Sequence, residues 1–115
     1  MPITTGAVTD RGLSPTRVAA LLAERPARHF GLYPQKGALI PGADADFITV
    51  DPSPWTFDAG QMASNVKWSP YDGMRFGGRG SETCLRGQTV CRDGEILGRR
   101  GAGRFVRPVS PPRTA

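Results

Sequence analysis

Residues 42–52 divide the chain into two halves of different character, and that division limits its possible folds more than any other feature. Gly42 follows Pro41 at a turn, and Phe47, Ile48 and Val50 supply the apolar, β-branched density of a buried strand that Pro52 stops. Before this stretch the pattern is helical. After it the chain reads as short strands and loops, so a mixed α and β fold is expected, with a core strand at the join.

The helical half starts firmly at Ser14, a good N-cap, with Pro15 at the first helical position, where a missing N–H has no partner to lose. Leu13 and Val18 occupy staple positions, and Val18, Leu21 and Leu22 form one apolar stripe, which predicts a helix over residues 14–24. Pro26 breaks it or restarts it as a second short helix that Gly31 ends in a left-handed cap. Residues 1–11 are small and polar and read as a loop. Residues 32–41 read as an irregular connector, with a short strand over Ala38, Leu39 and Ile40.

The other half is richest in β signals from residue 81 to 97. Alternating runs flank Arg86-Gly87, and Asp93-Gly94 is a strong hairpin turn. Two-residue turns would pair Cys84 with Thr89, Glu82 with Cys91, Cys91 with Ile96 and Val90 with Leu97. In that register the two cysteines share a face but lie diagonally, on the order of 7 to 8 Å apart, too far for an unstrained disulfide. They are expected to be reduced and structural. Arg104, Phe105 and Val106 would add a last edge strand, and residues 108–115 a disordered tail.

Between the strands, residues 53–80 carry Trp55, Phe57, Trp68, Tyr71 and Phe76 among prolines and glycines. Such rings could stack on bases beside Lys67 and Arg75, but more often they fill a core or a subunit interface, and the interface reading is favoured.

Core size is the difficulty. Leu, Ile, Val and Phe make up about a fifth of the 115 residues, near the boundary below which a chain cannot offset its own conformational entropy. Eleven prolines and fifteen glycines add turns rather than packing. The chain is expected to lean on something else.

The net charge of +5 is almost wholly arginine, spread from Arg11 to Arg113. After Glu95 no acid follows, while Arg99, Arg100, Arg104, Arg107 and Arg113 do. A solvated tail is favoured over an anionic partner such as nucleic acid. No run approaches the ~20 apolar residues of a membrane span, and the N-terminus has no basic start with an apolar run, so the cytoplasm is the expected location.

Candidate chemical groups are few. His29 is the single histidine and sits where an ordinary helix residue would. Asp44, Asp46 and Asp51 are close enough in sequence to suggest a cation loop, but the glycine and terminal glutamate of an EF-hand are not at their places, so turn and strand-end roles are preferred.

Several motifs in order resemble the C-terminal part of the cyclic amidohydrolases: hydantoinase, dihydropyrimidinase, allantoinase and the related dihydroorotases. Residues 13–34, opening Leu13-Ser14-Pro15-Thr16-Arg17-Val18, look like a late barrel helix and the turn that leaves it. Lys36-Gly37 and residues 41–52 look like the return into a small β domain. Trp68-Ser69-Pro70-Tyr71-Asp72-Gly73, Leu85-Arg86-Gly87-Gln88-Thr89-Val90 and Asp93-Gly94-Glu95 are similar to the family's closing segment.

The resemblance implies a fold: the last helices of a metal-dependent (β/α)8 hydrolase barrel over residues 1–34, then part of a β-sandwich domain over residues 35–107. A barrel alone takes about 200 residues or more, so most of it would lie in a missing N-terminal part, the implied partner, and the full-length form would be a homo-oligomer. The family's two zinc ions are implied to sit on a His-x-His pair, a carbamylated lysine, two further histidines and an aspartate. This sequence has no His-x-His; neither His29 nor Asp10 inherits a ligand role. No catalytic, cofactor-binding or metal residue is therefore assigned, no cofactor is expected on this chain, and the piece is expected to be inert alone. The alternatives are a free-standing basic module contacting nucleic acid through its arginine-rich tail, and a degenerate, poorly folded remnant.

Overall fold

The computed structural model describes residues 2–109. The chain opens with α1 (Pro2–Thr9), not with the loop expected of residues 1–11; Met1 lies outside the described residues. Its threonines and glycine are weak helix formers, and packing on a short strand far along the chain, Arg75–Phe76, overrides them. A Cβ at Gly6 would stand 3.6 Å from the Phe76 ring, and one at Gly77 would meet the Thr9 side chain.

Ser14 caps α2 (Pro15–Ala19), accepting the Arg17 N–H at 3.2 Å, and Pro15 takes the first position. The helix does not break at Pro26, which sits in the first turn of a short second helix. A π turn (Ala20–Glu24) joins α2 to α3 (Arg25–His29), with the Arg25 N–H donating to the Ala20 carbonyl five residues back. This wider turn precedes the residue that lacks a donor and whose ring would crowd the carbonyl four residues earlier. Gly31, at φ 68°, then ends the helix. Its N–H bonds the Arg28 carbonyl at 3.2 Å and the Leu32 N–H the Ala27 carbonyl at 2.7 Å, the paired closure of a Schellman cap.

The connector folds back on this helix at Gly37. A Cβ there would lie 2.5 Å from that of Ala27 and 2.8 Å from the Ala23 carbonyl oxygen. No strand forms at residues 38–40; Leu39 and Ile40 are exposed.

Among the described residues six strands follow: β1 (Phe47–Asp51), β2 (Trp55–Thr56), β3 (Arg75–Phe76), β4 (Arg79–Leu85), β5 (Gln88–Arg92) and β6 (Glu95–Ile96). The main sheet is four-stranded and antiparallel in the order β1, β4, β5, β6. Both hairpin turns lie where the sequence puts them, with φ 49° and 77° at Arg86-Gly87 and 48° and 86° at Asp93-Gly94, as tight two-residue hairpins require. Cys84 pairs with Thr89 and Cys91 with Ile96, and the Leu97 N–H bonds the Val90 carbonyl at 2.9 Å. One expected pair is wrong. A bulge between Thr83 and Cys84 sets Cys91 opposite Thr83, and Glu82 opposite Arg92. Because side chains alternate along a strand, that extra residue moves Cys91 off the face of Cys84. Both thiols are free.

Residues 53–80 are less loop-like than their composition suggests. β2 and β3 form a two-stranded ladder, and a 3-10 turn (Ala59–Gln61) is capped by Asp58, which accepts the Gly60 N–H at 2.8 Å. Trp55 packs against Phe57 and Phe76, with centroids 5.8 and 6.3 Å apart, and donates its indole N–H to the Gly78 carbonyl at 2.7 Å. Trp55, Phe57 and Phe76 thus pack on one another within the chain, where an interface was expected, while Trp68 stays exposed.

The end of the chain departs from expectation too. Arg104, Phe105 and Val106 form no strand. Residues 110–115 of the expected disordered tail lie outside the described residues, whereas Val109 is tied down, its N–H bonding the Gly31 carbonyl at 2.8 Å.

Burial is sparse. Among the described residues the buried apolar ones are Ala27, Ala59, Phe76 and Cys84. The strand expected to be a buried core strand is not one here: Phe47, Ile48 and Val50 are all exposed, as are Leu21 and Leu22 of the helix stripe. The accessible surface is 8975 Å², against about 6,100 Å² for a compact protein of this mass. The radius of gyration is 16.3 Å where about 13 Å suits a compact domain of this length.

Candidate functional site

The polar groups concentrate where the connector meets the first sheet turn. Lys36 reaches two carboxylates, lying 2.8 Å from Asp44 Oδ2 and bonding Asp46 Oδ2. All three side chains are part-buried. Asp44 also accepts from the Gln35 amide at 3.3 Å, and the Asp44 N–H bonds the Gln35 carbonyl at 2.9 Å. The second oxygen of Asp46 accepts the Arg86 N–H at 2.7 Å, while the Gly87 N–H bonds the Ala45 carbonyl at 3.0 Å. Residues 44–46 thus clamp the β4–β5 turn and hold Arg86, a non-glycine residue, in the left-handed region.

The electrostatics follow from these contacts. The hydrogen bond from Lys36 holds the Asp44 carboxyl below its usual range. Desolvation pulls the Lys36 ammonium down, but its bonds to Asp44 and Asp46 together outweigh that and raise it. Asp51 is lowered by the Ser53 backbone N–H, which it accepts at 2.8 Å, with Arg79 further off at 4.0 Å. Glu82 is lowered by the Thr89 hydroxyl and then by Arg92, both of which bond its Oε1.

The preferred turn and strand-end roles for Asp44, Asp46 and Asp51 are what the structure displays: each carboxylate is engaged by a backbone N–H or a cation of this chain. A pairing of Lys36 with two acids eight and ten residues away was not read from the sequence. The signal available was that Lys36 is one of only two lysines and precedes the acids.

The remaining candidates do not come together. His29, exposed on the last turn of α3, packs edge to face on Phe30 at 4.9 Å, and Asp10 accepts the Thr9 hydroxyl at 2.7 Å. Among the described residues no three of His, Cys, Asp and Glu cluster as metal ligands would. The donor set present does not fit a zinc centre: the closest carboxylates share an ammonium, and the two thiols belong to opposite sheet faces. Among the described residues, no helix is long and apolar enough to cross a membrane.

A profile of the amidohydrolase family matches residues 3–90. The chain belongs to that family. Among its relatives is the D-phenylhydantoinase of Escherichia coli O81, 40% identical over 110 residues that make up 93% of this chain and 24% of the relative. The solved L-hydantoinase (dihydropyrimidinase) of Arthrobacter aurescens superposes with a TM-score of 0.87 at 40% identity, again over 93% of this chain and 24% of that one. A dihydropyrimidinase from Brevibacillus agri gives 0.84 at 29% identity, over 95% of this chain and 24% of that one. The cyclic-amidohydrolase resemblance is therefore sound, and the chain spans about a quarter of the length of these relatives.

Proposed function

We propose that this chain is the C-terminal part of a metal-dependent hydrolase that opens C–N bonds of cyclic amides, of the hydantoinase and dihydropyrimidinase type. It contributes packing surface rather than reacting groups. Residues 1–34 finish the barrel, and residues 35–107 contribute to a β-sandwich beside it. The complementary N-terminal part is its first partner, zinc is held by that part, and the assembled protein is a cytoplasmic homo-oligomer.

The observation that carries this reading is the unspent surface. An excess of roughly 2,900 Å² over a compact protein of equal mass is well beyond the about 800 Å² that one partner commits to an ordinary interface. Some of it is apolar and lies in regular elements: Leu21 and Leu22 on the helix, Phe47, Ile48 and Val50 on β1. Elements that bury one face need a second layer, and the relatives are about four times as long.

Co-expression with the N-terminal three-quarters of a hydantoinase relative tests it. A stable complex that opens hydantoin or dihydrouracil, with neither part active alone, is the expected result. A purified 115-residue chain that is a compact monomer, retains stoichiometric zinc and opens a cyclic imide would end the proposal.

A further inference from the structure

A cavity of about 380 Å³ opens beside the clamped turn, walled by Gln35, Asp44, Arg86, Arg104, Phe105 and Arg107 among others. Its far wall is the stretch 102–109, which forms no strand but is held at both ends. Arg86 Nη2 donates to the Ala102 carbonyl at 2.7 Å, and the Val109 N–H bonds the Gly31 carbonyl at 2.8 Å. The wall is a strap with fixed anchors.

Three guanidinium groups line this space; Arg86 is near enough to Asp44 to help hold that carboxyl down, and among the described residues none of the three makes a direct ion pair, those belonging to Arg28, Lys36, Arg79 and Arg92. The single acid in the wall, Asp44, is already matched by Lys36 at 2.8 Å. Arg86 is fixed in backbone by Asp46 and in side chain by Ala102. A guanidinium has five donors, so one anchoring bond leaves others to offer. Arg104 and Arg107 make no side-chain hydrogen bond among the described residues and are exposed.

With three guanidinium groups against one carboxylate that Lys36 already neutralises, the concave site carries a positive balance, and such a cleft focuses its field on the space it encloses. Planar forks suit phosphate oxygens, which they grip two at a time. The volume falls within the range of small-molecule pockets, and Phe105 presents an exposed ring at the rim. From this we infer that the cavity binds a small phosphate-bearing molecule, with Arg86 as the fixed contact and Arg104 and Arg107 closing on a second phosphoryl group. The inference is independent of the hydrolase reading, because it uses no group assigned to catalysis.

Calorimetric titration of the full chain with inorganic pyrophosphate tests it, with orthophosphate for comparison. Saturable one-to-one binding is expected, about tenfold tighter for pyrophosphate, since only the longer anion reaches a second guanidinium. Replacing both Arg104→Ala and Arg107→Ala should weaken pyrophosphate by about tenfold or more. Arg75→Ala, at an exposed arginine of β3 that makes no ion pair among the described residues, should leave it unchanged. Circular dichroism of each variant checks that the fold persists. No saturable binding by the parent chain overturns the assignment, as does equal loss in Arg75→Ala or full retention in the double variant. Tighter binding to a single-stranded oligonucleotide that survives the double variant would overturn it in favour of a diffuse nucleic-acid surface.

Discussion

Replacing Asp46 by alanine should open the β4–β5 turn selectively. Two contacts go: the Arg86 N–H loses its acceptor at 2.7 Å, and Lys36 loses one of its two carboxylates while keeping Asp44 at 2.8 Å. The first is a hydrogen bond to a charged group, worth about 1.5–3 kcal/mol. The second is a part-buried pair with a substitute nearby, worth up to about 1 kcal/mol. The lost Arg86 bond, the stronger of the two, acts on one turn whose Arg86 is held at φ 49°. Local opening at Arg86 and Gly87 should therefore become easier by roughly 2 kcal/mol, or about thirtyfold faster amide hydrogen exchange at those two positions. The Leu97 amide, bonded to Val90 at the far hairpin, should change far less. Asp46→Asn keeps an oxygen for Arg86 and gives up only the charge, so its Arg86 amide should stay within about fivefold of the parent. Equal acceleration at Arg86 and Leu97, or none at Arg86, would refute the clamp.

Acid should loosen the sheet before alkali does. Asp44, Asp51 and Glu82 all titrate below their ordinary values in the folded chain, so their support is complete above those values and is lost as pH falls through the lowered ones, below about pH 4. Lys36 is raised, so its share persists until pH climbs past the ordinary lysine value; near-ultraviolet circular dichroism against pH should be flat from about 5 to 9 and fall on the acid side. Gly37→Ala would force a Cβ to 2.5 Å from Ala27 at φ 86°, costing about 1–3 kcal/mol in urea unfolding, whereas Gly103→Ala, with open space around it, should be near neutral. Small-angle scattering of the isolated chain should give a radius nearer 16.3 Å than the about 13 Å of a compact domain, together with dye binding to its apolar surface or self-association.

Turn and cap chemistry was legible because it is local. Ser14, Pro15, Gly31, Arg86-Gly87 and Asp93-Gly94 each act within four residues of themselves, and all occupy the positions their chemistry dictates. What failed depends on distant partners. α1 exists because Gly6 and Thr9 meet Phe76 and Gly77 some seventy residues away, and no propensity in its own eight residues announces that. The bulge beside Thr83 shifts the cysteine register without any glycine or proline to mark it. The π turn before Pro26 is a third case, since sequence gives the obstacle but not how the helix accommodates it.

Burial failed in a more instructive way. Phe47, Ile48 and Val50 have the composition of a core strand, and they form that strand, yet they stay exposed. A residue's apolar character fixes what it needs, whereas its burial requires another surface to meet it. The helix stripe at Leu21 and Leu22 makes the same demand from the other half of the chain. Two faces of unrelated periodicity, both patterned for a core and both open, are hard to attribute to chance surface exposure, because single exposed apolar residues are ordinary while contiguous ones in regular elements are not. The low apolar content that made a self-sufficient core doubtful and the 8975 Å² of exposed surface are thus the same fact at two levels. The relatives that match this chain carry the matched stretch as about one quarter of a longer chain, and the proposed larger partner would give these open apolar faces the second layer that such elements need.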